Sequence, residues 1–258
     1  MKIKQVINWK VFAILFTGSI IGILGVIPYS LTLQEDILKQ VPLPLPFLIT
    51  ISILQSIVLF FIVLFLGLFF AKKIGLGTPI LERLIQKKAV LPEIKSTSII
   101  SISLGLLAGS LIIIGDYLFI SLSSFDLTNI LQTPPPWQGF LVSFYGGINE
   151  EILLRLFFMS LLIWIFTKIT KTNQKFPNKI IIWIAIIVTS VLFGLAHLPI
   201  IASLTKITPI LIARAILLNG IGGLIFGWLY WRKGLEASIL SHFTADFILH
   251  VLIPFVLL

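Results

Sequence analysis

The chain has 258 residues, 58% of them hydrophobic and 11% charged, with no cysteine and a formal net charge of +9. A mean hydropathy of +1.11 excludes a soluble domain and marks an all-α, multi-pass membrane protein, and the lack of Cys leaves any metal to histidines and carboxylates. The Lys and Arg residues collect between apolar runs, which reads as orientation by cytoplasmic positive charge, with the lipid bilayer and not nucleic acid as the partner.

In chain order, Lys2, Lys4 and Lys10 precede an apolar run from Val11 to about Leu31, read as a retained helix. Pro42, Pro44 and Pro46 fix an extended connector before a second span over about Phe47 to Ala71. The charged stretch Lys72 to Lys95 has Ile80, Leu81, Leu84 and Ile85 at helical spacing, which predicts a short helix lying in the interface against lipid headgroups. A third span, about Thr97 to Leu122, leads to an acidic, proline-rich loop containing Asp126, and Trp137 marks the interface at which a fourth span begins.

The fourth span, to about Thr167, holds the sequence around which the rest is organised, Gly146-Gly147-Ile148-Asn149-Glu150-Glu151-Ile152-Leu153-Leu154-Arg155. Each charge near a bilayer centre costs about 2.5 to 3.5 kcal/mol on insertion scales, so three in one apolar run imply a use. Four-residue spacing puts Glu151 and Arg155 on one helix face as a pair, and leaves Glu150, turned roughly 100° away, free.

A basic loop separates this span from a fifth, about Ile180 to Pro199, ending in Phe193-Gly194-Leu195-Ala196-His197. The sixth, about Ile207 to Trp231, carries Gly223 and Gly227 at the spacing that lets helices pack closely. The seventh, about Leu235 to Leu258, contains His242 and Asp246. Alternating basic loops predict seven spans with the N-terminus cytoplasmic and the C-terminus outside; an eighth short helix or a re-entrant piece has room at 198–208. Counting 1.5 Å per residue brings Glu150 and His242 to a similar depth, nearer the cytoplasm, but leaves His197 nearer the outer end unless the chain re-enters there. Asp116 and Arg214 are expected to be interfacial or to pair with each other, and His250, near the outer end, is left out of the site.

Taken singly, a membrane histidine is explained by a helix-packing hydrogen bond and Glu151 with Arg155 by a structural ion pair. Together, a free carboxylate and two imidazoles on three spans are the minimum set for activating a water, with or without a metal. The three motifs, Glu-Glu-x-x-x-Arg at Glu150, Glu151 and Arg155, Phe-x-x-x-His at Phe193 and His197, and His-x-x-x-Asp at His242 and Asp246, occur in order on separate apolar runs. They resemble those of the CPBP intramembrane proteases, which include the type II CAAX prenyl endopeptidases and the bacteriocin self-immunity proteins.

This resemblance implies that residues 137–258 form a peptidase core and residues 1–136 an N-terminal group of helices. It implies Glu150 as the general base for hydrolysis of a peptide bond, supported by Glu151, Arg155 and Phe193, with His197 and His242 holding the water directly. Alternatively Glu150, His197 and His242 hold a divalent metal such as zinc. The substrate is then a peptide or a membrane-anchored protein. Related endopeptidases typically have Asn at the last motif position, whose amide donates to an oxyanion; a charged Asp246 repels one, so it is protonated, orients His242, or ligates a metal. The competing readings are a non-catalytic membrane scaffold or immunity factor and a proton-coupled transporter, the latter disfavoured by the lack of an inverted repeat.

Overall fold

The computed structural model describes residues 7–123, 134–170 and 177–257; the predicted loop acid Asp126 lies outside them. Among the described residues seven helices are long and apolar enough to cross a membrane, and no strand is present. The spans are Trp9–Leu33 (α1), Leu45–Ile74 (α3), Leu91–Ser123 (α5), Pro136–Ile169, Lys179–Leu204, Pro209–Lys233 (α10), and Leu235–Val256. Short helices Glu35–Leu38 (α2) and Pro79–Ile85 (α4) sit between the first three.

Local chemistry sets the helix ends. The Asn8 side chain accepts from the amides of Lys10 and Val11 to start α1, and Asn178 accepts from that of Ile180 to start α8 (Lys179–Ala196). Pro209 enters α10 at its first position, where a missing N–H is harmless, and Thr208 caps it by accepting from Leu211. Gly75 closes α3 with φ 75°, in the left-handed region that favours glycine.

The fourth span is not one regular helix. An α-helical start, Pro136–Phe144 (α6), passes into two π-helical stretches, Tyr145–Glu150 and Ile152–Met159, before regular geometry returns at Ser160–Ile169 (α7). The widened turns flank Glu151, where the sequence alone reads as plain α-helix. The seventh span likewise runs from Leu235–Phe247 (α11) through a π turn at Ile248–Leu252 into Ile253–Leu257 (α12).

The fifth span breaks at His197, which ends α8; Leu198–Leu204 (α9) follows as a separate short helix, in the region where the sequence left room for one. The fourth span is central: Ile152, Leu156, Met159 and Ile163 are fully buried against Val11, Phe60, Leu64 and Ile186 of its neighbours. α8 and α10 pack closely where Gly223 faces Ser190 and Gly227 faces Ile186, the glycine pair the spacing picked out, and most closely where Gly194 faces the backbone of Ala215 and Ile216. Asp116 and Arg214 do pair, Oδ1 to Nε 2.7 Å, tying α5 to α10. The predicted interfacial helix exists as α4, but Leu81 and Ile85 face the protein core and only Leu84 is left exposed among its leucines. Its amide at Leu81 is held by Glu236 Oε1 at 2.8 Å, so α4 is docked on the bundle, not simply laid on lipid.

Candidate active site

Glu151 is the hub. It is fully buried, its Oε1 lies 2.9 Å from Arg155 Nη1 and 2.8 Å from His242 Nδ1, and its Oε2 takes a close contact from the Ser238 hydroxyl. Four-residue spacing predicted the first of these partners; the other two are set by the packing of α11 against the fourth span. A carboxylate accepts, so His242 Nδ1 carries the proton and its Nε2 is the atom presented to the rest of the site.

Arg155, also fully buried, donates from Nη2 to the Gly223 carbonyl at 3.2 Å. Its guanidinium is held between the Phe193 and Phe226 rings, 5.2 and 5.5 Å from their centroids. A cation desolvated this fully needs its carboxylate and both aromatic faces. The Phe226 ring also stacks on His242, at 4.5 Å and 20° between planes, so it fixes the plane of the imidazole from one side while Phe193 meets it edge-on at 5.4 Å.

Glu150 is turned away from this pair, as the helical spacing predicts. Its side chain keeps 27% of its exposure, and its Oε2 lies 3.7 Å from His242 Nε2. Asp246 Oδ1 approaches the same nitrogen at 3.5 Å. Glu150, Asp246 and His242 Nε2 thus face one small volume, each separation longer than a direct hydrogen bond and short enough for one water to span.

His197 stands one step out. Its Nδ1 lies 2.8 Å from the Phe193 carbonyl, which can only accept, so Nε2 is left with a lone pair. It makes no ion pair with a carboxylate among the described residues; its link to the cluster is the Phe193 ring, which touches both histidine rings. α8 ends at Ala196, and His197 lies about one helical turn beyond Phe193. No group of three His, Asp or Glu side chains among the described residues is arranged to hold a metal ion, so Glu150, His197 and His242 as they stand do not form such a set, and no step below is routed through one.

Several participants carry no sequence signal. Ser238 and Phe226 are ordinary membrane-helix residues until α11 packs. Asn149, fully buried, donates from Nδ2 to the hydroxyl of Ser19 at 2.8 Å and so fastens the motif to α1. The Tyr29 hydroxyl and His250 Nδ1 lie 3.2 Å apart and hydrogen-bond the seventh span to α1.

Gly146 is required by close approach. A Cβ there would run into the Asp246 carboxylate and come within 3.3 Å of His242 Nε2. Gly146→Ala is therefore expected to depress cleavage and lower Tm, whereas Gly220→Ala, where a Cβ meets nothing within 4 Å among the described residues, leaves both near wild type. Thermal melts and cleavage rates of the two variants side by side check this, and equal behaviour removes the steric account.

The spans of this all-helical membrane protein thus hold between them a partly exposed carboxylate, a histidine fixed by two rings and a buried ion pair. Residues 132–248 match the family model described as Type II CAAX prenyl endopeptidase Rce1-like, and that match contains all three motifs, in agreement with the family resemblance they carry. It implies a membrane endopeptidase. No curated protein and no solved structure matches the chain.

Proposed function

We propose that the chain is an intramembrane endopeptidase that hydrolyses a peptide bond with a water activated by Glu150. The observation that carries this reading is the unequal fate of the two adjacent glutamates: Glu151 is consumed by Arg155, His242 and Ser238, and Glu150 alone is left half-open beside His242 Nε2.

In this reading a water bound between Glu150 Oε2 and His242 Nε2 gives its proton to Glu150 as its oxygen attacks the peptide carbonyl, and Glu150 passes that proton to the leaving amine. Glu151 holds His242 in the required tautomer and plane, as Arg155 holds Glu151. His197, with a free Nε2 lone pair, is assigned to water or substrate positioning at the outer edge. Asp246 is assigned to His242 and not to the oxyanion, because it lies against Nε2 and its charge would oppose a second anion. Residues 137–258 form the peptidase core and residues 1–136 the helices around it, with the N-terminus cytoplasmic and the C-terminus outside. The substrate class most consistent with the family match is a membrane-associated peptide with a prenylated cysteine near its C-terminus.

The full chain reconstituted in liposomes is expected to cleave such a peptide, read as a new C-terminus by mass spectrometry. Binding without cleavage favours a scaffold, and proton flux without cleavage favours a relay; either overturns the endopeptidase reading.

A further inference from the structure

A second candidate site lies away from Glu150. At the end of the bundle where α3 runs into α4 and α10 turns into α11, a cavity of about 370 Å³ is lined by Gly77, Thr78 and Arg83 on one side and Trp231, Arg232 and Lys233 on the other. Its walls are tied across the chain: the Leu235 amide donates to the Gly77 carbonyl at 2.9 Å, and Glu236 takes the α4 amide of Leu81.

The second tie has a chemical consequence. Thr78 stands immediately before Pro79 at the head of α4, where a threonine hydroxyl ordinarily accepts from an early helix amide. Here Glu236 has taken that amide. The Thr78 hydroxyl is left buried, at 1% residue exposure, with no hydrogen-bond partner among the described residues, in the cavity wall. A buried hydroxyl without a partner is unfavourable unless something else fills the role.

The charges on the wall are unequal. Arg83 is already committed to Glu93 at 2.5 Å and to the Ala89 carbonyl at 3.2 Å. Arg232, stacked over Trp231 at 5.4 Å, and Lys233 have no carboxylate partner among the described residues, and Glu82 is the remaining acid on the lining. Lys72 and Lys73 in the last turn of α3 add positive charge at the same end of the bundle, where the spans leave the apolar layer and headgroups begin.

We infer that this cavity binds a phosphate-bearing anion, with Arg232 and Lys233 supplying charge and the Thr78 hydroxyl a hydrogen bond. Its two sources are the headgroup of an anionic phospholipid and a free phosphate ester. Either would clamp the α3–α4 turn onto the start of α11, the helix that carries Ser238 and His242 to Glu151.

The test uses the full-length protein in nanodiscs of phosphatidylcholine alone, of phosphatidylcholine with phosphatidylglycerol, and of phosphatidylcholine with glycerol 3-phosphate added in solution. Thermal stability and lipid retention in native mass spectrometry are the readouts. Wild-type protein is expected to be stabilised in the second or third condition. A response confined to phosphatidylglycerol identifies a lipid headgroup, and one confined to glycerol 3-phosphate a free ester.

Lys233→Gln and the uncharged change Thr78→Val are each expected to raise the amount of ligand needed on the order of tenfold. Lys87→Gln with Lys88→Gln removes two charges outside the cavity and is expected to keep the response. No stabilisation in any condition overturns the inference. So does an unchanged response in Thr78→Val, or an equal loss in the Lys87/Lys88 variant, which would reduce the effect to the general field of a basic surface.

Discussion

Glu150→Gln is expected to lower cleavage by about 10²–10⁴-fold while the protein keeps its fold. The substitution keeps the shape and removes only the basic oxygen. Because the Glu150 side chain is 27% exposed and its close ionic neighbour among the described residues is His242 Nε2 at 3.7 Å, the change strands no buried charge. The expected signature is therefore a rate loss with the thermal transition in place. Full retained activity would show that some other group takes the proton from water. A large drop in Tm with proportionate loss of activity would make Glu150 structural, a role the proposal gives to its neighbour.

Arg155→Met is expected to do the reverse in order of magnitude, destabilising the protein by about 3–5 kcal/mol, the range for removing one partner of a buried pair. Three things are lost together: the Nη1 contact to Glu151, the Nη2 donation to the Gly223 carbonyl, and the cation between Phe193 and Phe226. Glu151→Leu alone should be similarly harmful, since it leaves a guanidinium at 0% exposure with one carbonyl for company.

The double variant Glu151→Leu, Arg155→Met separates support from chemistry. With neither charge stranded, much of the stability should return. Cleavage should stay lost, because His242 Nδ1 no longer has the carboxylate that fixes its tautomer and ring plane. Denaturant titration and cleavage assays on the three variants measure both quantities. Single variants within about 1 kcal/mol of wild type would mean that the pair is not the buried linchpin described above.

The fold was legible because membrane spans are written in composition. Seven apolar runs, with Lys and Arg collected in alternate loops, mark the seven spans seen among the described residues, and the observed ends differ from the expected ones by a few residues, as with α3, which starts at Leu45 and runs on through Lys72 and Lys73 to Ile74. Pairings at four-residue spacing were also legible, as Glu151 with Arg155 shows, because a helix alone determines them. For Asp116 and Arg214 the sequence left two readings, interfacial or paired, and the structure shows the pair.

What could not be read is what requires two helices to be placed against each other. Nothing distinguishes Ser238 from other serines in membrane helices until α11 brings it to Glu151, and nothing marks Phe226 as the residue that stacks on His242. Depth was the weakest measure. A count of residues from the span ends cannot see that α8 stops at Ala196.

The widened turns on either side of Glu151 also constrain the chain's length. A π turn holds about one residue more than an α turn, so deleting one residue between Tyr145 and Met159 closes a widened turn to ordinary geometry, whereas inserting one beyond what the widened turns absorb swings one half by about 100° against the other. Phe140 and the α6 face would then rotate out of register with Ile152, Leu156 and Ile163, and residues now bathed in lipid would be driven inward. This stretch of the fourth span cannot take an added residue without displacing that packing, and its residue count is as much a specification as its glutamates.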